Sequence, residues 1–116
     1  MFGSSGEFGM RKPPGTRVFT PEELAQFDGS DASKPVYLAV KTVVYDVSSA
    51  RAMYGPGSAY SVFAGKDASR ALGMSSVKPA DCVPDYSSLN AEQIGTLDQW
   101  VSFYQKKYDI IGSVKP

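Results

Sequence analysis

The chain has 116 residues, which is room for one domain, and its 42% hydrophobic and 12% aromatic content suffices for one modest core. Twelve Lys plus Arg balance twelve Asp plus Glu, so the basic excess that drives binding to nucleic acid or to an anionic membrane surface is missing. One cysteine, Cys82, and no histidine exclude an intrachain disulfide framework, Cys- or His-ligated zinc, His-ligated haem, and Ser-His-Asp or Cys-His catalysis.

Residues 1–15 read as a disordered N-terminal tail. The stretch holds four Gly and two Pro with few apolar residues and cannot repay its ordering entropy. It lacks the apolar centre of a secretory signal, and GSSGEFGM also has the character of a vector-derived leader. The domain is placed at 16–116. Thr20-Pro21-Glu22-Glu23 is a helix start: a capping Thr, Pro at the first helical position, and Glu23 where a capping box needs a carboxylate. Leu24 and Phe27 give this short helix one apolar face, and Asp28-Gly29 is expected to end it.

Val36–Val40 and Val43–Val47 are rich in β-branched and aromatic residues and predict two strands. Lys41-Thr42 forms the turn between them without the Gly or Asn that a tight hairpin favours. The pattern breaks up over 48–59, where Gly55-Pro56-Gly57-Ser58 marks a loop. Residues 60–72 predict two short helical pieces separated at Gly65, with Asp67 as a cap. Residues 75–89 read as irregular. Asn90 and Gln93 open the clearest helix, whose apolar stripe is Ile94, Leu97, Val101, Tyr104 and Tyr108. Gly112 is expected to stop it, and Trp100, beside the stripe, to lie in the core. The sum is an α+β domain: a small sheet with several short helices.

Little catalytic chemistry remains. Gly55-Pro56-Gly57 is too short for a phosphate cradle, and Pro removes a donor. Glu22 and Glu23 complement a helix dipole, and Asp81 and Asp85 flank a loop without a sugar platform. The chain is therefore read as not an enzyme. Its unusual feature is seven tyrosines, two of which bracket the Gly-Pro loop: Tyr54-Gly55-Pro56-Gly57-Ser58-Ala59-Tyr60. A single tyrosine is ordinarily a core or interface ring. A phenol is also an established haem ligand, and Fe(III) draws off its proton.

Val44-Tyr45-Asp46-Val47, Tyr54-Gly55-Pro56-Gly57 and the run Tyr60-Ser61-Val62-Phe63-Ala64-Gly65-Lys66-Asp67-Ala68-Ser69-Arg70-Ala71-Leu72 together resemble the membrane-associated progesterone receptor family of cytochrome b5-like haem/steroid-binding domains. Val18–Leu24 and Leu97–Tyr108 extend the likeness over residues 17–115. The resemblance implies a cytochrome b5-like fold in which a small sheet and short helices form a ligand cleft. It implies ferric haem b held through one axial ligand, Tyr60, with Tyr54 bonding near the ligand or a propionate. By the same carry-over, Lys107 and Tyr108 hold propionates or the haem edge, and Val62, Phe63, Ala64 and Leu72 join the last helix in walling the cleft. It further implies haem-dependent homodimers, and haem-thiolate monooxygenases of sterol metabolism as partners. Lys107 also reads as a solvated helix-end lysine. The sequence departs from the family at Ser58-Ala59, where Gly-Pro is usual, and at Thr42, near a usual Gly.

Two other functions fit the same residues: a steroid- or lipid-binding module using the cleft without iron, and a protein adaptor using its aromatic surface. No transmembrane segment is read in the sequence, and the expected location is cytoplasmic, peripheral at the endoplasmic reticulum. Cys82 reads as a bystander, because its acidic neighbours oppose a thiolate.

Overall fold

Alternation along the strands decides which residues face which layer, because successive side chains in a strand point to opposite faces. The computed structural model describes residues 14–115, and the part of the N-terminal tail before Pro14 lies outside them. Four strands, β1 (Arg17–Phe19), β2 (Tyr37–Val40), β3 (Val43–Asp46) and β4 (Asp109–Val114), form one sheet in the order β1-β4-β3-β2. β1 runs parallel to β4; the β4–β3 and β3–β2 pairs are antiparallel. Leu38, Val40 and Tyr45 project into the larger core, which the helices α2 (Arg51–Tyr54), α3 (Ser69–Met74) and α4 (Ala91–Lys107) help to close. Ala39 and Val44 project into a smaller core with Phe19, Val114 and Leu24, the last from α1 (Pro21–Ala25). The architecture is α+β, as expected.

Both capping boxes form. Glu23 N–H donates to Thr20 Oγ1 (3.1 Å) and Thr20 N–H to Glu23 Oε1 (2.8 Å). Asn90 and Gln93 exchange the equivalent pair at 2.9 and 3.0 Å. α1 is shorter than expected and ends at Ala25, before Asp28-Gly29. A turn of 3-10 helix over Ser48–Ala50 leads into α2, within the stretch whose sequence pattern breaks up. These turns bury Tyr54 and draw little on helical periodicity.

The largest departure is at the C-terminus. Gly112 does not stop α4. The helix ends at Lys107, Tyr108 takes an extended conformation (φ −124°, ψ 152°), and Asp109–Val114 becomes the strand between β1 and β3. Gly112 sits opposite Arg17 in this strand, and a Cβ there would overlap the Arg17 carbonyl. Its missing side chain allows close strand approach, and no helix cap is involved.

The β2–β3 turn is held from outside. Lys41 and Thr42 both have positive φ, 49° and 65°, a conformation that costs non-glycine residues about 1–2 kcal/mol each. Thr42 N–H donates to Asp67 Oδ2 (3.0 Å), and Lys41 N–H donates to Ser69 Oγ (2.7 Å). Ser69 N–H and Oγ–H both donate to Asp67 Oδ1 (3.1 and 2.5 Å). Ser69 is fully buried and Asp67 nearly so. Asp67 is not the helix cap expected: the N-cap of α3 is Ala68, which makes no side-chain cap bond, and Asp67 instead closes the turn before the helix and anchors the hairpin. Residues 65–68 also lie along β2: Gly65 N–H donates to Tyr37 O, Ala39 N–H to Lys66 O, and Ala68 N–H to Ala39 O. That contact covers an edge strand otherwise open to association.

Replacing Asp67 by Ala leaves buried donors unmatched at about 1–3 kcal/mol each. We expect Asp67→Ala to lose about 2–4 kcal/mol in urea unfolding and Asp67→Asn, which keeps an acceptor, to lose less. Equal losses would show that the hydrogen bonds do not hold the turn.

Candidate functional site

The helix spacing of Trp100, Phe103 and Tyr104 places three aromatic rings on one side of α4. Facing them are Met53 and Tyr54 from α2, and Tyr60 and Phe63 flanking the 3-10 turn Ser61–Phe63. With Gln99 these residues enclose a cleft of about 390 Å³, inside the range of roughly 300–1,000 Å³ usual for small-molecule sites. Tyr60 and Phe63 stack with 5.7 Å between centroids and 9° between planes. Trp100 meets Phe103 edge-on at 5.5 Å. Met53 and Phe103 are partly exposed at 43% and 38%, which leaves an apolar mouth.

Three phenols line this cleft, and their surroundings differ. Tyr54 and Tyr104 are buried, and their hydroxyls lie 2.8 Å apart in one hydrogen bond. Burial pushes the Tyr54 phenol up to about 12, and burial likewise raises that of Tyr104. Both are therefore held neutral at physiological pH. Tyr60 is half-buried, and its hydroxyl makes no hydrogen bond among the described residues. Its backbone is fixed: Tyr60 N–H donates to Met53 O (3.1 Å), and Ser58 Oγ donates to the same carbonyl (2.7 Å) and to Gly55 O. Ser58, a departure from the family pattern, thus ties the loop directly before Tyr60.

Residues 20–98 match the family model of the Cytochrome b5-like Heme/Steroid binding domain. The chain belongs to that family. It is 46% identical over 96 residues to the Probable steroid-binding protein 3 of Arabidopsis thaliana, covering 83% of this chain and 96% of that one. It is 47% identical over 96 residues to the Membrane steroid-binding protein 2 of Oryza sativa subsp. japonica, covering 83% of this chain but 36% of that one. The chain therefore spans nearly the whole of the first relative and little more than a third of the second. A solved Arabidopsis thaliana protein described as having a cytochrome b5 like fold superposes with a TM-score of 0.81 at 41% identity, over 94% of this chain and all of that one. These relatives agree with the membrane-associated progesterone receptor resemblance carried by the Tyr54–Tyr60 and Phe63–Leu72 motifs. Among the described residues of this haem/steroid-binding domain, no helix is long and apolar enough to cross a membrane.

The domain brings Tyr54, Tyr60 and Phe63 together in the cleft. Leu72 lines an adjoining depression of about 130 Å³ that shares Tyr60, Phe63 and Trp100 with it. Val62 is half-buried against the core, and its carbonyl accepts from Cys82 Sγ at 3.3 Å. Ala64 is buried in the core. Lys107 and Tyr108 line a separate polar hollow with Asp46, Ser48, Ser49 and Asp109. Lys107 still touches the cleft's outer wall, with Nζ 5.5 Å from the Phe103 ring centroid. The Tyr108 ring packs 5.6 Å from that of Tyr104 behind the cleft.

Two expectations change. Trp100 is half-buried and walls the cleft instead of filling the core. Tyr104, read only as part of an apolar stripe, proves to be a cleft phenol bonded to Tyr54. Its hydroxyl was the available signal, since a buried phenol needs a partner. Cys82 is buried, and burial raises its thiol to about 11, which keeps it protonated.

The buried phenols set an alkaline limit on stability. Their pKa values are raised in the folded state, so their contribution is complete below pH about 10 and is lost as pH rises through the folded values. We expect urea midpoints to be flat from pH 7 to 9 and to fall above pH 10, by up to about 1.4 kcal/mol per pH for each retained proton. The Tyr54→Phe/Tyr104→Phe double variant is expected to fall less steeply. An identical slope in both proteins would overturn this account.

Proposed function

We propose that this domain binds ferric haem b through the phenolate oxygen of Tyr60. The observation that carries the reading is the division of labour among the cleft phenols: Tyr54 and Tyr104 are buried and bonded to each other, while the Tyr60 hydroxyl has no hydrogen bond among the described residues. The residues present fit the group. Flat aromatic walls suit a porphyrin, and the donor available is a hard oxygen, matched to Fe(III). No cation lines the cleft among the described residues, but Lys107, over the outer face of Phe103, is placed to meet a propionate at the rim.

Bound haem would supply a ferric centre of low reduction potential, because an anionic oxygen ligand stabilises the higher oxidation state. The protein's own contribution is to hold the Tyr60 backbone rigid through Met53 and Ser58, exclude water with Phe63, Trp100 and Phe103, and keep Tyr54 and Tyr104 neutral. Such a site suits haem storage, transfer or sensing without catalysis. On the family resemblance, we extend the proposal to haem-dependent homodimers, to haem-thiolate monooxygenases of sterol metabolism as partners, and to a peripheral cytoplasmic location at the endoplasmic reticulum. The relatives' names favour a second reading, a steroid in the same apolar cleft without iron.

Hemin titration followed by absorption separates the two. The wild-type chain is expected to give a saturable one-to-one high-spin ferric spectrum, and Tyr60→Phe to lose that spectrum with at least about tenfold weaker binding. A steroid would bind both proteins equally. Equal hemin spectra from the two proteins would remove Tyr60 as ligand.

A further inference from the structure

A second hollow, of about 210 Å³, opens where α1, the Gly65–Asp67 segment and the Cys82–Pro84 loop meet the end of β4. It shares no lining residue with the aromatic cleft. Its walls are largely apolar and include Leu24, Ala25, Pro84 and Val114. Two basic residues, Lys66 and Lys115, belong to the same lining, and both are exposed. Neither forms an ion pair among the described residues, where the ion pair present is Lys41–Asp98. Asp67 also lines the hollow; its oxygens accept from Thr42 and Ser69, and its charge offsets one of the two lysines. An apolar chamber lined by two lysines and one carboxylate, with Glu23 near Lys115, leaves a positive lysine available to an apolar ligand carrying one negative charge.

Size narrows the class. A volume of about 210 Å³ lies below the roughly 300–1,000 Å³ usual for drug-sized ligands. A short, flexible aliphatic chain ending in a carboxylate suits a hollow of that size. We propose that this hollow is a binding site for a medium-chain aliphatic carboxylate, with its tail against Leu24, Ala25 and Val114 and its carboxylate at Lys66 and Lys115. The proposal does not depend on what the aromatic cleft binds.

The test is a titration of the full chain with sodium octanoate, followed by amide chemical shifts, with 1-octanol as the uncharged control. Saturable shifts are expected at Leu24, Ala25 and Val114, with a Kd at or below about 1 mM. Octanol is expected to bind at least about fivefold more weakly, and Lys66→Gln/Lys115→Gln to weaken octanoate by a similar factor. Ala25→Trp, at an exposed position on the rim, is expected to plug the hollow and abolish the shifts while its own spectrum reports an intact fold. Absence of saturation by 5 mM, equal affinity for octanol, or shifts centred on Met53, Tyr60 and Trp100 would each overturn the proposal.

Discussion

The Asp67 carboxylate is the constraint on which the two halves of the domain depend. It receives Thr42 N–H from the hairpin and two donors from Ser69 at the start of α3. A turn lacking Gly or Asn would otherwise have to hold two residues in the left-handed region unaided, and the rotation matters because it lets β3 return beside β2 in register. The same contact lays residues 65–68 along β2 and so fixes the far end of the 60–67 segment. The near end is fixed at the Met53 carbonyl. Tyr60 and Phe63 lie between these anchors, so the rings of the cleft wall sit on a single 3-10 turn whose backbone is held at both ends.

Local signals in the chain were legible where they are chemically self-sufficient. A capping box needs only four residues, and both Thr20–Glu23 and Asn90–Gln93 form as read. The alternating strands Tyr37–Val40 and Val43–Asp46 fall within a residue of expectation. The missed elements depend on partners distant in sequence. β1 is three residues long and exists through its pairing with β4. β4 was hidden by Gly112, since a glycine after a long helix is ordinarily a stop signal. Only the parallel neighbour, whose backbone passes where a Cβ would stand, explains it.

The candidate site divides along the same line. The loop Tyr54–Tyr60 and Phe63 could be named from a contiguous motif, and the structure brings them to one cleft. Which side of α4 closes that cleft could not be read, because Trp100, Phe103, Tyr104, Lys107 and Tyr108 cover more than one face of the helix. Trp100, Phe103 and Tyr104 turn inward to the cleft, while Lys107 and Tyr108 reach the neighbouring hollow beside Asp46 and Asp109. Lys107 straddles the two through Phe103.

The tyrosines show how one residue type takes different chemical roles through burial. A phenolate costs most where it is least solvated, so the buried Tyr54–Tyr104 pair is stable only with both protons in place. Mutual hydrogen bonding satisfies them and removes them from competition for a metal. Tyr60 is half-buried at the cleft, outside that hydrogen-bonded pair. In a chain with no histidine and with its cysteine buried and protonated, the proposal of Tyr60 as ligand rests on this difference in exposure and bonding among the phenols. If Tyr60 holds the iron as proposed, the oxygen donor would also separate this domain from an electron carrier. Rapid shuttling needs a ligand set that serves both oxidation states comparably, whereas an anionic oxygen holds iron in the ferric one.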